Sequence, residues 1–506
     1  METRAKIVQG KYLDSVKLML ISKQMRELPG IIDAVAIMAT AENMGILAAT
    51  GMKVPEIITA KDNDIVIVAK AESGADSAME LADRLLNAKH EASAGSEAKA
   101  PAPSLETAIK RLDGADLCLI SVAGKYAANE ADKALDMGLH VMLFSDNVSI
   151  EDEARLKAKA LEKGLLMMGP DCGTAIINGT PLAFANKVPR GNIGIVSASG
   201  TGLQEISVGI ARLGCGISQA FGTGGRDGKK EIGGLMLCAC LNHLIRDPET
   251  QVIVLVGKTP DAEVLSLLWE QIARTEKPVI VNFLREMDVP ALPNLTYVKS
   301  LFGTAVHACE ALTGNKQALE PSDLAPADLI LMNRERRLIK GLYSGGTLCY
   351  EAIRIYKETF GIEPVSNLAK DPSRLIKDIW TTTEDSFIDL GDDDYTVGRP
   401  HPMIDFSLRT KLLATAGKEA EIAVILLDVV LGYGAHPDPA AELCQAIRDV
   451  EKGIRVICHV LGTDADPQGT EDQIDRLRQA GAEVCRSNEE AVTHALSIIK
   501  AQRGLS

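Results

Sequence analysis

Residues 191 to 228, GNIGIVSASGTGLQEISVGIARLGCGISQAFGTGGRDG, hold the residue types and spacing best suited to chemistry. The apolar run Ile193-Gly194-Ile195-Val196 leads into the small polar turn Ser197-Ala198-Ser199-Gly200-Thr201-Gly202, after which Leu203, Ile206, Ile210 and Leu213 recur at helical spacing. Strand, tight turn and helix in that order bring unpaired backbone N–H groups and the positive end of a helix dipole to one point. Small residues let an anion come close, so Ser199, Gly200, Thr201 and Gly202 are candidates for holding a phosphate or a carboxylate. The same residues also suit a plain helix cap with Ser199 or Thr201 at its start. No nucleotide fingerprint accompanies them, because Thr223 stands where a P-loop ending at Gly228-Lys229 would begin and Lys230 where Ser or Thr would follow.

Other clusters carry polar groups. Gly222 to Gly228 sets four glycines around Arg226, either a mobile loop that brings a guanidinium to an anion or a solvated surface loop. Residues 389 to 402, DLGDDDYTVGRPHP, put the acid Asp392, the fixed cation Arg399 and the near-neutral base His401 in one short stretch that two prolines and two glycines would hold in shape. Val430 to Ala440, VLGYGAHPDPA, follows the apolar run 422–427 and repeats the order of strand, small turn and helix, with Gly434 and Ala435 in the turn and Pro439 at a first helical position. Two helix N-termini, at Ser199 and at Gly434, are thus expected to bracket one anion. The loop Met168 to Thr174, MGPDCGT, supplies one carboxylate and reads as structural. Cys238 and Cys240 are the only close pair among ten cysteines, and no metal site is expected.

A chain of 506 residues is too long for one core, and about three or four domains are expected. Residues 1–90 read as a small α+β domain, with strands near 3–8, 31–38 and 64–70 and helices near 14–26, 42–50 and 76–89. Residues 91–104, rich in Ala, Ser, Pro and Glu, read as a linker. From 105 strands and helices alternate, the mark of parallel sheets with helices on their faces, giving α/β domains over 105–190, 191–320 and 335–506. In the last two, strands are expected near 193–197, 216–221, 252–256 and 278–283, and near 422–428 and 454–460. The candidate residues then fall where strands run out into loops, the usual ligand position in open α/β sheets. A net charge of −15 and a pI near 5.2 argue against nucleic-acid or anionic-membrane partners. The start METRAKIVQG lacks a signal-peptide core, no apolar run reaches membrane length, and scattered thiols suit a cytoplasmic setting.

The stretches Gly169-Pro170-Asp171-Cys172, Gly194 to Thr201 and Gly222 to Gly225 resemble the α subunit of succinyl-CoA synthetase in order and spacing over about 105–315, and residues from about 335 to 500 more weakly resemble the carboxy-terminal domain of its β subunit. That resemblance implies several domains of Rossmann and flavodoxin type: a CoA-binding-like Rossmann domain at 105–190 and CoA-ligase-like flavodoxin-type domains at 191–320 and 335–506. It also implies that the two facing helix ends hold the phosphate of a phosphohistidine. The whole chain is similar to the FdrA proteins, on Lys11 to Val16, Ser121 to Ala127, Phe144 to Val148, Met168 to Thr174, Pro181 to Asn186, Gly391-Asp392-Asp393 and Tyr395 to Asp405.

Departures from the synthetase shape the expected chemistry. After 278–283 the chain runs Leu284-Arg285-Glu286-Met287-Asp288-Val289-Pro290, with no His where the phosphoryl-carrying loop would stand, and His307 falls later in a helix-like setting that suits a packed residue. An ATP-grasp segment and the CoA-gripping glycine loop are not visible in the sequence. The FdrA resemblance implies a subunit of an oxamate carbamoyltransferase in anaerobic allantoin and purine-nitrogen breakdown, working with two companion proteins in a hetero-oligomer. Phosphate would then sit at Ser199, Gly200, Thr201, Gly434 and Ala435, the oxamate or oxalurate carboxylate at Arg399 or Arg226, and His401 would give a proton to the departing nitrogen. No cofactor is required on this reading. An acyl-CoA synthetase that takes CoA with parts borrowed from a partner, and a non-catalytic scaffold, remain the other two expectations.

Overall fold

The protein is described from a computed structural model, which covers residues 2–505 apart from 12, 14, 50–51, 53, 63, 88–101, 113, 285–286, 319–321, 326–334 and 397–399. Most of the expected linker and Arg399 therefore lie outside the described residues. The chain divides into two compact units, one of Met1–Asp116 with Ser121–Tyr126 and Asp393–Pro400, the other of Leu117–Ile120, Ala127–Asp392 and His401–Ser506.

In the first unit the strands Glu2–Val8, Ile31–Met38 and Ile65–Ala71 form an antiparallel sheet with the third strand in the middle. Alternation along that middle strand explains its place. Ile65, Ile67 and Ala69 pack with Leu18, Met25 and Ala82 from the helices Ser15–Arg26 and Ala75–Asn87, whereas Val66 and Val68 pack with Leu47 and Ile57 on the other face.

The second unit is α/β, with parallel strands predominating. A small sheet joins Leu117–Ile120, His140–Leu143 and Met167–Met168. A seven-stranded sheet runs in the order Leu295–Tyr297, Val279–Phe283, Val252–Gly257, Arg190–Ser197, Ile217–Gly222, Thr174–Ile177 and Thr180–Ala183, its first five strands parallel and its last two an antiparallel hairpin. A five-stranded parallel sheet runs in the order Ser386–Asp389, Leu338–Tyr343, Ile422–Val430, Arg455–Leu461 and Glu483–Cys485. Every residue of Ile422–Val430 is buried, as expected for a central parallel strand covered on both faces.

One apolar cluster joins these two larger sheets, from Ile195 and Val254 through Leu203 and Ala305 to Leu348, Leu426 and Leu496. The helix Gly200–Arg212 lies inside it, with Thr201 to Ile210 all buried. Its buried residues include polar ones with partners: Gln204 donates to Asn186 Oδ1 at 3.1 Å and Glu205 lies 2.7 Å from His459 Nε2. Packing of this helix against Leu301–Thr313 and Gly346–Phe360 carries the Ser199 turn toward the five-stranded sheet.

Candidate functional site

The Ser199 turn forms at the C-terminal end of Arg190–Ser197. Ser197 Oγ accepts the Ser199 N–H at 2.9 Å and donates to the Ser199 carbonyl at 2.6 Å, which fixes the bend. Ser199, in extended conformation, accepts the Gly202 N–H at 3.0 Å and caps the helix. Ser199, Gly200, Thr201 and Gly202 are therefore in one turn at a helix N-terminus, as their spacing suggests.

The element that faces this turn is Gly346–Phe360, following the strand Leu338–Tyr343. Ser199 Oγ lies 2.5 Å from Thr347 Oγ1, and a Cβ on Gly345 would stand 2.9 Å from Thr201 Cγ2. Glycine at 345 is thus required by the close approach of the two helix ends. Gly345 is the N-cap and offers no side-chain acceptor, so the first turn of this helix keeps backbone donors free for a ligand. The positive ends of two helices meet here.

This pairing corrects the expectation for Gly434 and Ala435. The helix after them, Pro439–Arg448, is capped by the Asp438 carboxylate, which accepts the Ala441 N–H at 3.2 Å and pairs with Arg476 at 2.8 Å. That helix end has its cap in Asp438, and Gly434 and Ala435 lie in a separate turn before it, not at the helix N-terminus. The Gly434 turn instead packs on Phe184, whose ring lies 3.0 Å from where a Gly434 Cβ would be.

Arg226 likewise differs from expectation. Its guanidinium donates to the Val148 carbonyl at 2.8 Å and lies 2.8 Å from the buried Glu153, which pairs at 2.7 Å with the buried Lys157, itself 2.7 Å from the buried Asp227. Asp227 in turn accepts the Leu237 N–H at 2.7 Å. The glycine loop 222–228 is pinned to the helix Ile150–Glu162 by this network, and Arg226 serves it instead of reaching for a substrate carboxylate.

His401 is not an exposed loop side chain. Its ring packs on Phe184 with centroids 5.9 Å apart, and burial, helped by the Arg409 cation, pushes its pKa down to about 4. The imidazole is neutral at neutral pH, with Nδ1 accepting the Met403 N–H at 3.3 Å and Nε2 facing Gly391, where a Cβ would be 2.9 Å away. It therefore lies beside the cradle without the charge expected of a strong proton donor. Asp392 follows Gly391, the residue that His401 Nε2 faces, and is close enough to Asp389 to raise the latter's pKa.

Below the cradle, buried Asp428 accepts the Ser344 N–H at 2.8 Å and pairs with buried Arg409 at 2.9 Å, while Arg409 donates to the Pro402 carbonyl at 3.0 Å. One ion pair thus fixes both the turn before Gly345 and the segment after His401.

Sequence reasoning passed over three components of this arrangement: the Gly345-Gly346-Thr347 helix end, Asp389 and Lys258. Leu338-Ile339-Lys340-Gly341-Leu342-Tyr343 followed by Ser344-Gly345-Gly346 has the order of strand, small turn and helix, but Lys340 interrupts its apolar run. That lysine is buried and donates to Thr382 Oγ1 at 2.8 Å. Lys258 is exposed after the strand Val252–Gly257, and at Gly257, with φ at +152°, a Cβ would strike Ala198 at 2.8 Å, so the cation emerges beside the Ser199 turn. His307, by contrast, is half-exposed on Leu301–Thr313, and it lines a cleft of about 710 Å³ with Pro278 and Asn294 at the opposite strand ends.

Two α/β layers joined by one apolar cluster, with small polar turns at their strand ends, define a succinyl-CoA synthetase-like fold, and family models agree. Those described as CoA-ligase and CoA binding domain match residues 342–498 and 189–285, and one described as AllF, heavy metal-associated domain matches 1–103. The chain belongs to the same family as the uncharacterized protein YahF of Escherichia coli (strain K12), with 41% identity over 505 residues, 96% of this chain and 97% of that one. It is also 30% identical over 193 residues to the ADP-forming succinate–CoA ligase subunit alpha 2 of Archaeoglobus fulgidus, a match covering 37% of this chain and 61% of that subunit. Among solved structures it is similar to the dinucleotide-forming acetyl-coenzyme A synthetase 1 of Ca. Korarchaeum cryptofilum, with 18% identity, 77% of this chain and 83% of that one covered, and a TM-score of 0.31.

Heavy-metal chemistry is not supported by the donor set of the first 103 residues. They contain no cysteine and a single histidine, His90, which lies outside the described residues. A soft metal would lack the thiolates it favours. No helix among the described residues is long and apolar enough to cross a membrane.

Proposed function

We propose that this chain is the phosphate-holding subunit of an oxamate carbamoyltransferase, as its similarity to the FdrA proteins implies, catalysing oxalurate plus phosphate to oxamate plus carbamoyl phosphate. The observation that carries this reading is the pair of opposed helix ends at Ser199–Gly202 and Gly345–Thr347, one of them without a side-chain cap. Backbone donors in a fixed cradle suit a phosphate that must be positioned and not activated by a metal. A phosphate oxygen would attack the ureido carbonyl, the C–N bond would break, and the proton of the attacking phosphate would go to the nitrogen that leaves as the oxamate amide. Lys258 is an accessible cation at the rim for the substrate carboxylate. The match of residues 1–103 to an AllF domain model accords with a place among allantoin-related proteins.

A second reading, an acid–thiol ligase that takes CoA, is favoured by the CoA-ligase and CoA-binding family models and by the ligase relatives. Against it, the turn between Leu117–Ile120 and the helix Gly124–Asp136 is Ser121-Val122-Ala123, so Gly124 stands alone, without the run of glycines that lets a pyrophosphate approach the backbone. The segment 284–290 also has no histidine to carry a phosphoryl group. Co-expression with the companion proteins and assay of carbamoyl phosphate from oxalurate and phosphate separates the readings, since CoA-dependent thioester formation in the same complex would favour the second.

A further inference from the structure

We infer that Asp389 is the proton-exchanging group of this anion cradle and that an anion is held with Asp389 protonated. The inference rests on the cradle proposed above and names a residue and a proton for it.

Asp389 ends the strand Ser386–Asp389 and is only 6% exposed. One carboxyl oxygen, Oδ1, accepts the Gly391 N–H at 2.9 Å. The other, Oδ2, accepts no hydrogen bond from the described residues and stands 2.9 Å from where a Cβ on Gly346 would be, at the first turn of the uncapped helix. A carboxylate in a side chain this deeply set, with one oxygen given no protein donor, is costly to keep charged. It is stabilised either by a proton or by a ligand that supplies one.

The charges around it are unevenly matched. Asp392 and Asp428 oppose its ionisation, and Lys258 favours it. Asp428 is already engaged by Ser344 and Arg409, His401 across Gly391 is neutral, and the Cys349 thiol on the facing helix is held protonated by burial. Burial dominates and raises the Asp389 carboxyl to about 7. Ionised, Asp389 repels an anion at the helix end. Protonated, Oδ2 gains an O–H donor directed into the same space.

In the proposed reaction the Oδ2–H bond breaks as an N–H bond forms on the departing oxamate nitrogen, and the proton carried by the attacking phosphate passes to Oδ2. The carboxyl ends as it began.

Sulfate is the probe, because it stays a dianion from pH 5.5 to 8.5 and adds no titration of its own. Calorimetry on the full chain should give sulfate affinity that is flat below about pH 6 and falls about tenfold per unit above pH 7, with uptake of about one proton per sulfate at pH 8 when two buffers of different ionisation enthalpy are compared. Asp389→Asn should bind sulfate with no such fall. Sulfate binding that is independent of pH, or a slope that survives in Asp389→Asn, overturns the inference and leaves the cradle standing. Absence of sulfate binding at every pH in folded protein overturns the cradle and the inference together. Should Asp389→Asn fail to fold, the proton uptake of the unmodified chain decides alone, and no uptake at pH 8 overturns the inference.

Discussion

Ser199 and Thr347, separated by 148 positions in the chain, meet hydroxyl to hydroxyl at 2.5 Å and bring two helix N-termini to one point. Neither helix end alone would be more than an ordinary cap. Opposed, they place two sets of backbone donors around a space that glycines at 345 and 346 keep open.

Gly346→Asp should abolish phosphate binding without unfolding the chain, since the new carboxylate enters the first turn of the uncapped helix and meets Asp389. Loss of even two charge-assisted hydrogen bonds, at about 1.5–3 kcal/mol each, corresponds to a weakening of roughly two orders of magnitude or more. Gly200→Asp should act in the same direction from the facing turn. Phosphate titration calorimetry on variants of native circular dichroism checks both, and unchanged affinity would reduce these turns to structural caps.

Lys157→Met tests the buried network. Glu153 and Asp227 would be left as buried charges without their shared cation, a change that costs about 3–5 kcal/mol in comparable pairs. Denaturant unfolding should show a loss of that size. Arg226→Lys should lower stability and leave phosphate affinity near normal, which distinguishes a pinning role from the substrate-binding role its glycine-rich setting suggested.

The pH dependence of stability has two opposed parts. His401 titrates near 4 when folded and near its ordinary 6.5 when unfolded, so between these values the unfolded chain binds more protons and stability falls as pH drops. Asp389 and Glu351 do the reverse: each is raised to about 7 by burial, so the stability they contribute below their ordinary values of 3.8 and 4.5 is lost as pH rises toward and through 7. Asp389→Asn should therefore stabilise the protein at pH 8, by roughly 1–4 kcal/mol, and have little effect near pH 4. His401→Gln should flatten the decline between pH 6.5 and 4. Urea titrations at four pH values read both.

Much of the architecture was legible from periodicity. The strands expected near 3–8 and 31–38 run Glu2–Val8 and Ile31–Met38, and the long apolar runs became the central strands Arg190–Ser197, Val252–Gly257 and Ile422–Val430. Edge and short strands were not legible: Leu295–Tyr297, Ser386–Asp389 and the hairpin Thr174–Ile177 with Thr180–Ala183 have too few apolar residues in a row to stand out. At the site, the Ser199 turn could be read because Ser is a common cap, whereas Gly345 gives no such signal and buried Lys340 hides the strand before it. Gly434 has the right local pattern, but its turn stops short of the helix, whose end Asp438 caps. Arg226 and His401 stand out by residue type, and type does not reveal that Glu153 holds one and that Phe184 covers the other.

Incubated with ATP and magnesium, the purified chain should neither hydrolyse ATP nor acquire a phosphoryl group, because the segment 284–290 supplies no histidine and no P-loop is present. Phosphoryl incorporation that is labile to acid and stable to base, as phosphohistidine is, would contradict this.

The proposed function has the two helix ends hold phosphate for carbamoyl transfer. Its most direct test is the complex of this chain with its companion proteins, given oxalurate and phosphate without ATP or CoA, with carbamoyl phosphate followed by phosphorus NMR. Carbamoyl phosphate and oxamate should form in equal amounts from the unmodified complex, and not at all from an intact complex carrying Gly346→Asp. Equal turnover by the Gly346→Asp complex, or product that forms only as a CoA thioester when ATP and CoA are added, would contradict it.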